Sequence, residues 1–471
     1  MKKLKERNTK YQIRNTQSGI TLVALIITII VLLILALVSI RLVMNGGIID
    51  RAEKGTKAYT EAEIGEQIKL AYQEYQMAKY SEQGYTLQNA LEKTGQDIVS
   101  VEGNDSTGYE IKVNTREGEK LYVIQSNGTV GVASTEWTDN GDGSWTKGIR
   151  TIQIGDVVNY DPTKDANGNT LTTTYTSYGT ANAAADKNSG RTSGYTSDKE
   201  FSVSAKTNGW KVLGINESGQ IELISASPIR TVRNEPYVLR GEKGYLDGPD
   251  ELNAICSIFG QGKGAESARS LNSDDTDKLA GIKTDADKNA CSPGLTYGFK
   301  YQFRYPTEEE KIDNRKCMQY RTDAGSGFGS WTNITSGSLQ KFKIPGEDYF
   351  GRIDSSNIVE GYSPELTRTS YYYNITEKLG KIYSGAQFRV RQRIANLFNV
   401  GDMWLASRVI WYEDYYLSFE VRFCMGSTVD NKSMYHSYGY ELEGAFGVRP
   451  VVSLESNVQL SGNSTDGWTI Q

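Results

Sequence analysis

The stretch GITLVALIITIIVLLILALVSIR, residues 19–41, decides what kind of chain this is. No charged residue occurs between Ile20 and Ile40. An α-helix of about 20 residues spans about 30 Å, the thickness of the hydrocarbon core of a bilayer. Only a helix satisfies its own backbone hydrogen bonds there. The run therefore predicts a transmembrane helix over residues 20–44.

The residues before this run are basic, with six lysines and arginines against Glu6 alone. Positive charge stays on the cytoplasmic side of a membrane, so the rest of the chain is expected outside. This predicts a single-pass protein of the cell membrane with a cytoplasmic N-terminus and an extracellular C-terminal head. The alternative is a cleaved secretory signal, but its apolar core is only about 7–15 residues long and ends in an A-x-A-like exit. Neither feature is found here.

The sequence S-G-I-T-L-V, residues 18–23, resembles the N-terminus of type IV pilin-like proteins. In that family a prepilin peptidase removes a basic leader that ends in glycine, just before a long apolar helix. The resemblance implies processing between Gly19 and Ile20, with the membrane, the peptidase and other pilin subunits as partners. Pilins usually carry glutamate at the fifth mature position, where it is tied to N-methylation and filament assembly. This chain has Ala24 there, so entry into a filament stays open.

Composition describes a polar, multidomain chain. With 471 residues, two or three domains are expected. The formal net charge is −5, and the leader contributes +6 − 1 = +5, so the processed chain would lie near −10. Nothing in this balance suggests nucleic acid, for which a basic stripe would be expected. Glycine (48) far outnumbers proline (9), and tyrosine (30) outnumbers phenylalanine (12), which favours a turn-rich chain with tyrosine available for contacts.

Residues 45–133 are predicted to form a pilin-like helix with a small β-sheet. Apolar residues recur at helical spacing between residues 61 and 80, and a short helix is expected near residues 87–91. Alternation of Tyr109, Ile111 and Val113 with polar residues predicts a strand, and two turn signals follow it. About three antiparallel strands are expected. Residues 134–150, rich in Gly, Asp and Thr, are predicted to be a linker.

Residues 151–471 are predicted to form one larger domain. Residues 163–198 contain hardly any aliphatic side chain, which predicts a long exposed loop. A hairpin is expected at WKVLGI and IELISA, followed by helices at residues 249–259 and 273–280. The segment YQFRY, residues 301–305, is strand-like. Residues 325–385 give no clear prediction.

The C-terminal segment, residues 404–454, carries a second resemblance. Phe419, Val421 and Phe423 alternate with polar residues, as in a half-buried strand. The frame W-L-A-S-R, then F-x-V-R, then G-V-R-P-V-V-S-L resembles the terminal core of C-type lectin-like folds in bacterial surface proteins. The resemblance implies a C-type lectin-like α+β domain over residues 151–471, and hence an α+β fold class for the whole chain. Trp404, Phe419 and Val421 are expected in the core.

Few residues suggest catalysis or a cofactor. His436 is the only histidine, which excludes zinc bound through several histidines. Asp414 and Asp430 could orient it, but no nucleophile elbow accompanies them. The acidic clusters at residues 274–277 and 139–143 are the best calcium candidates, although neither completes a Ca²⁺ loop. No metal, cofactor or enzymatic activity is predicted.

The four cysteines leave two possibilities open. They are Cys256, Cys291, Cys317 and Cys424. An even number outside the cytoplasm permits two disulfides in three possible pairings. Free thiols, buried as small hydrophobic side chains, are the other possibility.

An aromatic cluster in the C-terminal segment is the candidate ligand-binding surface. Its members lie among turn residues and charges, and they are Trp411, Tyr412, Tyr415, Tyr435, His436, Tyr438 and Tyr440. The leading hypothesis is a membrane-anchored, pilin-like surface protein whose lectin-like head binds an unknown extracellular ligand in adhesion or recognition. The alternative is a structural minor pilin or pseudopilin of a type IV pilus or type II secretion-like system, without a ligand of its own.

Overall fold

The computed structural model forms two compact units, residues 1–133 and 134–471. The residues that it describes are 29, 32, 48–171, 174–178, 200–205, 207–230, 234–292, 297–304, 319–323, 325–334, 344–346, 365–382, 387–413, 416–437 and 440–471.

In the smaller unit, a long helix packs on a four-stranded antiparallel sheet whose order follows the chain. Its elements are α1 (Ile48–Ala78), α2 (Leu87–Glu92), β1 (Asp97–Asn104), β2 (Gly108–Thr115), β3 (Gly118–Ile124) and β4 (Val130–Ala133). The helical spacing predicted the contact correctly, since Ile64, Ile68 and Ala71 of α1 are buried against the sheet. The sheet has one strand more than the sequence predicted, because β1 precedes the strand at Tyr109.

The larger unit is built on a seven-stranded sheet of order β14-β25-β12-β11-β8-β27-β26, in which only the β27–β8 pair is parallel. Its strands are β8 (Val157–Asn159), β11 (Trp210–Ile215), β12 (Ile221–Ser225), β14 (Ala265–Ser270), β25 (Pro450–Leu454), β26 (Leu460–Asn463) and β27 (Gly467–Ile470). The predicted hairpin is β11–β12.

Six α-helices accompany the described strands of this unit. They are α3 (Gly241–Leu246), α4 (Gly248–Ser257), α5 (Ser273–Leu279), α6 (Asp285–Cys291), α7 (Ile375–Ile382) and α8 (Phe388–Phe398). A 3-10 helix (Ile258–Gln261) continues α4. The predicted helices at residues 249–259 and 273–280 correspond to α4 and α5.

Strand alternation directs the central sheet into two separate cores. Leu223 and Val452 face the core that contains Leu252 of α4. Their neighbours Ile224 and Val451 face the core that contains residues of α7 and α8. Because both faces are covered, these strands are apolar on both sides, as is typical of the middle layer of three.

A second sheet carries the first two parts of the C-terminal frame, W-L-A-S-R and F-x-V-R, while the third part forms β25 of the seven-stranded sheet. The second sheet has the order β19-β22-β21-β20, with β23 paired to β22. Its strands are β19 (Tyr373–Asn374), β20 (Met403–Glu413), β21 (Tyr416–Met425), β22 (Thr428–His436) and β23 (Tyr440–Glu441). We call it the long sheet. Trp404, Phe419 and Val421 are all buried, which confirms the prediction that they belong to the core.

A small sheet of order β17-β16-β15-β18 covers one face of the long sheet. Its strands are β15 (Lys300–Arg304), β16 (Gln319–Asp323), β17 (Thr332–Asn333) and β18 (Glu365–Thr367), so the strand-like segment at YQFRY is confirmed. The remaining pairs are two-stranded. They are β9 (Thr174–Tyr178) with β10 (Glu200–Ser204), and β13 (Tyr237–Arg240) with β24 (Glu443–Phe446).

Residues 134–150, predicted to be a linker, are part of the larger unit. They contribute to a three-stranded sheet made of β5 (Thr138–Asp139), β6 (Ser144–Lys147) and β7 (Arg150–Gln153). Trp137 and Trp145 pack against the cores of this unit. The glycines and aspartates that suggested a flexible segment form its tight turns instead, with Gly141 and Gly143 at positive φ.

The predicted α+β fold class is wrong. Strands account for 41% of the described residues and helices for 25%, so the described structure is mainly β. The helices expected near residues 87–91, 249–259 and 273–280 are present, but the other helices and most of the strands in residues 151–471 were not predicted.

The prediction of a single-pass membrane protein is also contradicted. Among the residues that the structure describes, no helix is both long and apolar enough to cross a membrane. Of the predicted span, residues 20–44, only Ile29 and Leu32 belong to the described residues. The same finding contradicts the predicted localisation, which placed the chain in the cell membrane with an extracellular head.

Candidate functional site

The predicted aromatic surface is divided between the two faces of the long sheet. Tyr412 of β20 pairs with Leu417, and Tyr435 of β22 pairs with Phe419. Trp411, the neighbour of Tyr412, pairs with Ser418 on the opposite face. Because successive side chains of a strand point to opposite faces, these residues cannot form one contact surface.

Tyr412 and Tyr435 belong to the core beneath the small sheet. Tyr435 is buried, and Tyr412 is half-buried. The Tyr412 ring stacks on Tyr301 of β15 with ring centroids 4.2 Å apart. The expected exposed contact role is therefore wrong for Tyr435, and Tyr412 mainly joins two sheets.

Trp411 and His436 lie on the other face of the long sheet, and both are half-buried. The Arg368 guanidinium is 4.8 Å from the centroid of the Trp411 ring. His436 packs against Tyr416, with ring centroids 4.5 Å apart. Asp430 is six residues away on the same strand, which corresponds to about 20 Å, so it cannot orient this imidazole.

Of the remaining predicted site residues, the structure describes only one. Tyr440, in β23, is exposed. Tyr415, Tyr438 and the processing residues Gly19 and Ile20 lie outside the described residues. Processing at Gly19 stays a prediction.

The outer face of the small sheet presents a cluster of planar polar side chains around a tryptophan. The cluster, which we call the cationic ladder, consists of Gln302, Arg304, Gln319, Arg321, Trp331 and Asn333. The strand register places these residues together, since Gln302 pairs with Arg321, Arg304 with Gln319, and Gln319 with Asn333. The alternate residues Tyr301 and Phe303 point inward and are buried.

Two guanidinium groups lie against the same indole ring. The Cζ atoms of Arg304 and Arg321 are 4.4 Å and 4.5 Å from the centroid of the Trp331 ring. Cations within about 6 Å of a ring centroid are attracted by its negative face. Arg321 also lies 4.9 Å from the Phe328 ring. The aromatic side chains therefore hold both guanidinium groups at the sheet surface.

Amide side chains fix the edges of the guanidinium groups. Arg321 donates from Nε and Nη2 to Oε1 of Gln302, over 2.9 Å and 2.6 Å. Arg304 donates from Nε to Oε1 of Gln319 over 2.8 Å. Gln319 in turn donates to Asn333 over 2.8 Å. These contacts orient the guanidinium groups without neutralising their charge.

Two carboxylates lie at the border of the cationic ladder, and each accepts hydrogen bonds from neighbouring groups. Glu365 of β18 accepts from Lys300 over 2.8 Å. Asp323 accepts from the backbone N–H groups of Gly325 and Gly327 in the turn that follows β16. The described carboxylates at this border are thus engaged by Lys300 and by the turn after β16.

The acidic clusters considered for calcium serve as caps and turns. Asp275 forms a bidentate ion pair with Arg269, at 2.6 Å and 2.7 Å, and completes the capping box of α5 with Asn272. Asp142 accepts from the backbone N–H of Ser144 in a turn. Among the described residues, no three His, Cys, Asp or Glu side chains are arranged to hold a metal ion.

The three described cysteines are free thiols, so no disulfide joins them, and Cys317 lies outside the described residues. Cys256 and Cys424 are fully buried. Burial raises the pKa of both thiols, for Cys424 to about 12. The second possibility raised by the sequence, small buried side chains, holds for these two.

A buried polar layer lies on the face of the long sheet opposite the small sheet. Tyr371 and Tyr373 both donate a hydrogen bond to the carboxylate of Asp277, the latter over 2.6 Å. The Arg422 guanidinium is 3.8 Å from the centroid of the Tyr371 ring. Glu420 accepts from Ser433 over 2.7 Å, and only 6% of the residue is exposed.

Glu420 has an unusual protonation equilibrium. Burial raises its pKa to about 7 from an ordinary value of 4.5, and Asp430 adds to the increase, while Ser433, Ser418 and Arg422 oppose it. A raised carboxyl pKa means that the folded state prefers the neutral acid. Its destabilising effect is absent below about pH 4.5, grows as the pH rises, and is complete above about pH 7.

We expect Glu420→Gln to become relatively more stable than the wild type as the pH rises. Glutamine is neutral throughout, so the free energy of unfolding of the variant minus that of the wild type should increase by roughly 2–3 kcal/mol between pH 4.5 and pH 8. Urea denaturation at a series of pH values measures this difference. Ser433→Ala, which removes a hydrogen bond to the carboxylate, should move the midpoint of the wild-type change to higher pH. A pH-independent difference would contradict the assignment.

Comparison with known proteins adds no relative. No protein-family model matches the sequence, no curated protein matches it, and no solved structure matches the fold. The geometry of the described residues is therefore what bears on function, and the pilin-like and lectin-like resemblances stay predictions.

Proposed function

We propose that the larger unit is a recognition domain that binds an acidic polysaccharide at the cationic ladder. The observation that carries the proposal is the position of two guanidinium groups, those of Arg304 and Arg321, within 4.5 Å of the centroid of the Trp331 ring on one sheet face. The proposal assigns the chain a binding role and not a catalytic one. It moves the binding surface from the predicted tyrosines to the opposite side of the small sheet.

The chemistry of the ladder fits carboxylate or sulfate groups. A guanidinium group is planar, stays charged at any physiological pH, and can bind two oxygens of one anionic group. Gln302 and Asn333 supply amides, which both donate to and accept from hydroxyl groups. A sugar polymer with acidic substituents offers both kinds of group in a repeating row.

The support beneath the ladder favours a preformed site. Apart from Trp331, which directly precedes β17, its residues stand on paired strands. The inner face of the same strands packs through Tyr301 and Phe303 onto the long sheet. Side chains held by strands and by mutual hydrogen bonds lose little freedom when a ligand binds. Binding should therefore require little rearrangement of this face.

The test is a binding titration of the purified 471-residue chain with heparin and with polygalacturonate, using dextran as the neutral control. We expect binding to the two acidic polymers that weakens as salt rises, and no binding to dextran. Arg321→Ala and Trp331→Ala should each weaken binding by about tenfold or more, since both belong to the centre of the surface. Lys263→Ala, which removes an exposed cation before β14, is the matched control and should bind like the wild type.

Three outcomes would overturn the proposal. The wild type could bind neither acidic polymer, as a subunit that only packs in a filament would. Arg321→Ala and Trp331→Ala could bind as tightly as Lys263→Ala. Binding to poly-glutamate could exceed binding to both polysaccharides, which would assign the surface to an acidic protein. Thermal unfolding of each variant distinguishes lost contacts from lost folding.

A further inference from the structure

A groove lies between α1 and the edge strand β4 of the smaller unit. Its volume is about 590 Å³. On the helix side it is lined by Glu61, Ala62, Gly65, Glu66 and Lys69, and on the sheet side by Tyr122 and residues 127–132. The small side chains of the helix leave room beside the strand.

The edge of β4 is ready to pair with another strand. The N–H of Gln125 donates to the C=O of Thr129 over 2.9 Å, which sets the hydrogen-bonding phase of the β3–β4 hairpin. In a pair of antiparallel strands, hydrogen-bonded and non-hydrogen-bonded residue pairs alternate. The pairs of Val130 with Ile124 and of Val132 with Tyr122 are therefore of the non-hydrogen-bonded type. The backbone N–H and C=O groups of Val130 and Val132 therefore point away from β3.

This edge is complementary to itself. In an antiparallel β4–β4 pair centred on Gly131, Val130 of each copy would form the bonded pair with Val132 of the other. A Cβ atom at Gly131 would meet nothing within 4 Å, so the strand is also uncrowded at the centre of such a pair. Val132 is 46% exposed although valine is apolar, and a neighbouring strand would cover it.

The charges on the lining helix follow the same symmetry. Glu66 and Lys69 lie one helical turn apart and form an exposed ion pair within the chain, with 3.3 Å between Lys69 Nζ and Glu66 Oε1. Their side chains are 68% and 45% exposed, so both can exchange partners with the same residues of a second copy. A two-fold axis perpendicular to the joined sheet would pass midway between the two Gly131 residues. It would keep both helices on one face of the sheet and run them in opposite directions. Glu66 of each copy would then face Lys69 of the other, as in an isologous interface.

We propose that the β4 edge and the groove beside it bind a second copy of this chain, forming a two-fold symmetric dimer with a continuous eight-stranded sheet. The occupant of each groove is β4 of the partner, whose valines fill the space beside Ala62 and Gly65. This proposal concerns the smaller unit and does not depend on ligand binding by the larger one.

Sedimentation equilibrium of the 471-residue chain tests the proposal. We expect a reversible monomer–dimer equilibrium. Val132→Lys places a charge at the edge and should raise the dimer dissociation constant by about tenfold or more. Val99→Lys is the matched control, because Val99 lies on the opposite edge strand β1 and is 48% exposed; it should leave the dissociation constant unchanged.

A charge exchange tests the orientation of the two copies. Glu66→Lys alone should weaken the dimer, since it places lysine opposite lysine. Adding Lys69→Glu should restore the dissociation constant to within about threefold of the wild type, as expected for a coupled pair. A chain that stays monomeric at every concentration would overturn the proposal. So would equal effects of Val132→Lys and Val99→Lys, or a double exchange that does not restore dimerisation.

Discussion

Replacing Trp404 with alanine is expected to lower the free energy of unfolding of the larger unit by about 3–5 kcal/mol, as buried aromatic truncations do. The Trp404 side chain is fully buried. Its Nε1–H donates to the backbone carbonyl of Tyr237 over 2.8 Å, and its ring packs edge-on against Phe446 at 4.7 Å between centroids. Truncation would leave a cavity between the long sheet and the β13–β24 pair, together with a buried carbonyl that has lost this donor. Urea denaturation followed by circular dichroism measures the loss.

Trp331→Ala is the matched control for this experiment. It is the same substitution in the same unit, but the Trp331 side chain is partly exposed at the outer face of the small sheet. Its loss should change stability by no more than about 1 kcal/mol while weakening the proposed ligand binding. Equal losses of stability in the two variants would show that the small sheet is part of the same tightly packed core.

The C-terminal frame was predictable because its signal is local. In β21, alternation identified Phe419 and Val421 as core residues, and both are buried. The same alternation suggested that Glu420 and Arg422 face solvent, which is wrong. The chain around Tyr371 crosses the other face of the strand, as the contact of Arg422 with the Tyr371 ring shows. Period-two patterning separates two faces but does not reveal whether a distant segment covers the second one.

The aromatic surface was misplaced for a related reason. Tyr412 and Tyr435 lie among turn residues and charges in sequence, which favoured exposure. In the structure, Tyr412 is stacked on Tyr301, a residue more than a hundred positions earlier. The small sheet that covers it takes strands from segments as distant as residues 300–304 and 365–367. Such long-range pairing leaves no local periodic signal.

The cationic ladder could not be found from sequence for the same physical reason. Arg304, Arg321 and Trp331 are separated by about ten to seventeen positions, and only the register of three strands brings them together. One local signal was present, since the segment YQFRY alternates aromatic and polar residues, as a strand with one polar face does. The strand at Thr332 falls in the part of the sequence that gave no prediction.

Asp277→Ala is expected to destabilise the larger unit by about 3–5 kcal/mol. Asp277 belongs to a cluster that the sequence offered as a calcium candidate, but its carboxylate instead accepts hydrogen bonds from Tyr371 and Tyr373. All three residues are at least nine-tenths buried. Removing the acceptor leaves two buried hydroxyl groups without it, at about 1–3 kcal/mol each. Urea denaturation of the variant measures the total.

A double-mutant cycle separates the hydrogen bonds from the rest of the effect. In the background of Tyr371→Phe and Tyr373→Phe, both donors are already absent, so Asp277→Ala should cost at least about 2 kcal/mol less than in the wild type. The reason is that no hydroxyl group is left unpaired in that background. Asp277→Asn retains an acceptor oxygen and should be milder than Asp277→Ala. If Asp277→Ala costs the same in both backgrounds, the tyrosine hydroxyl groups do not depend on this carboxylate, and the network does not stabilise the layer beneath the long sheet.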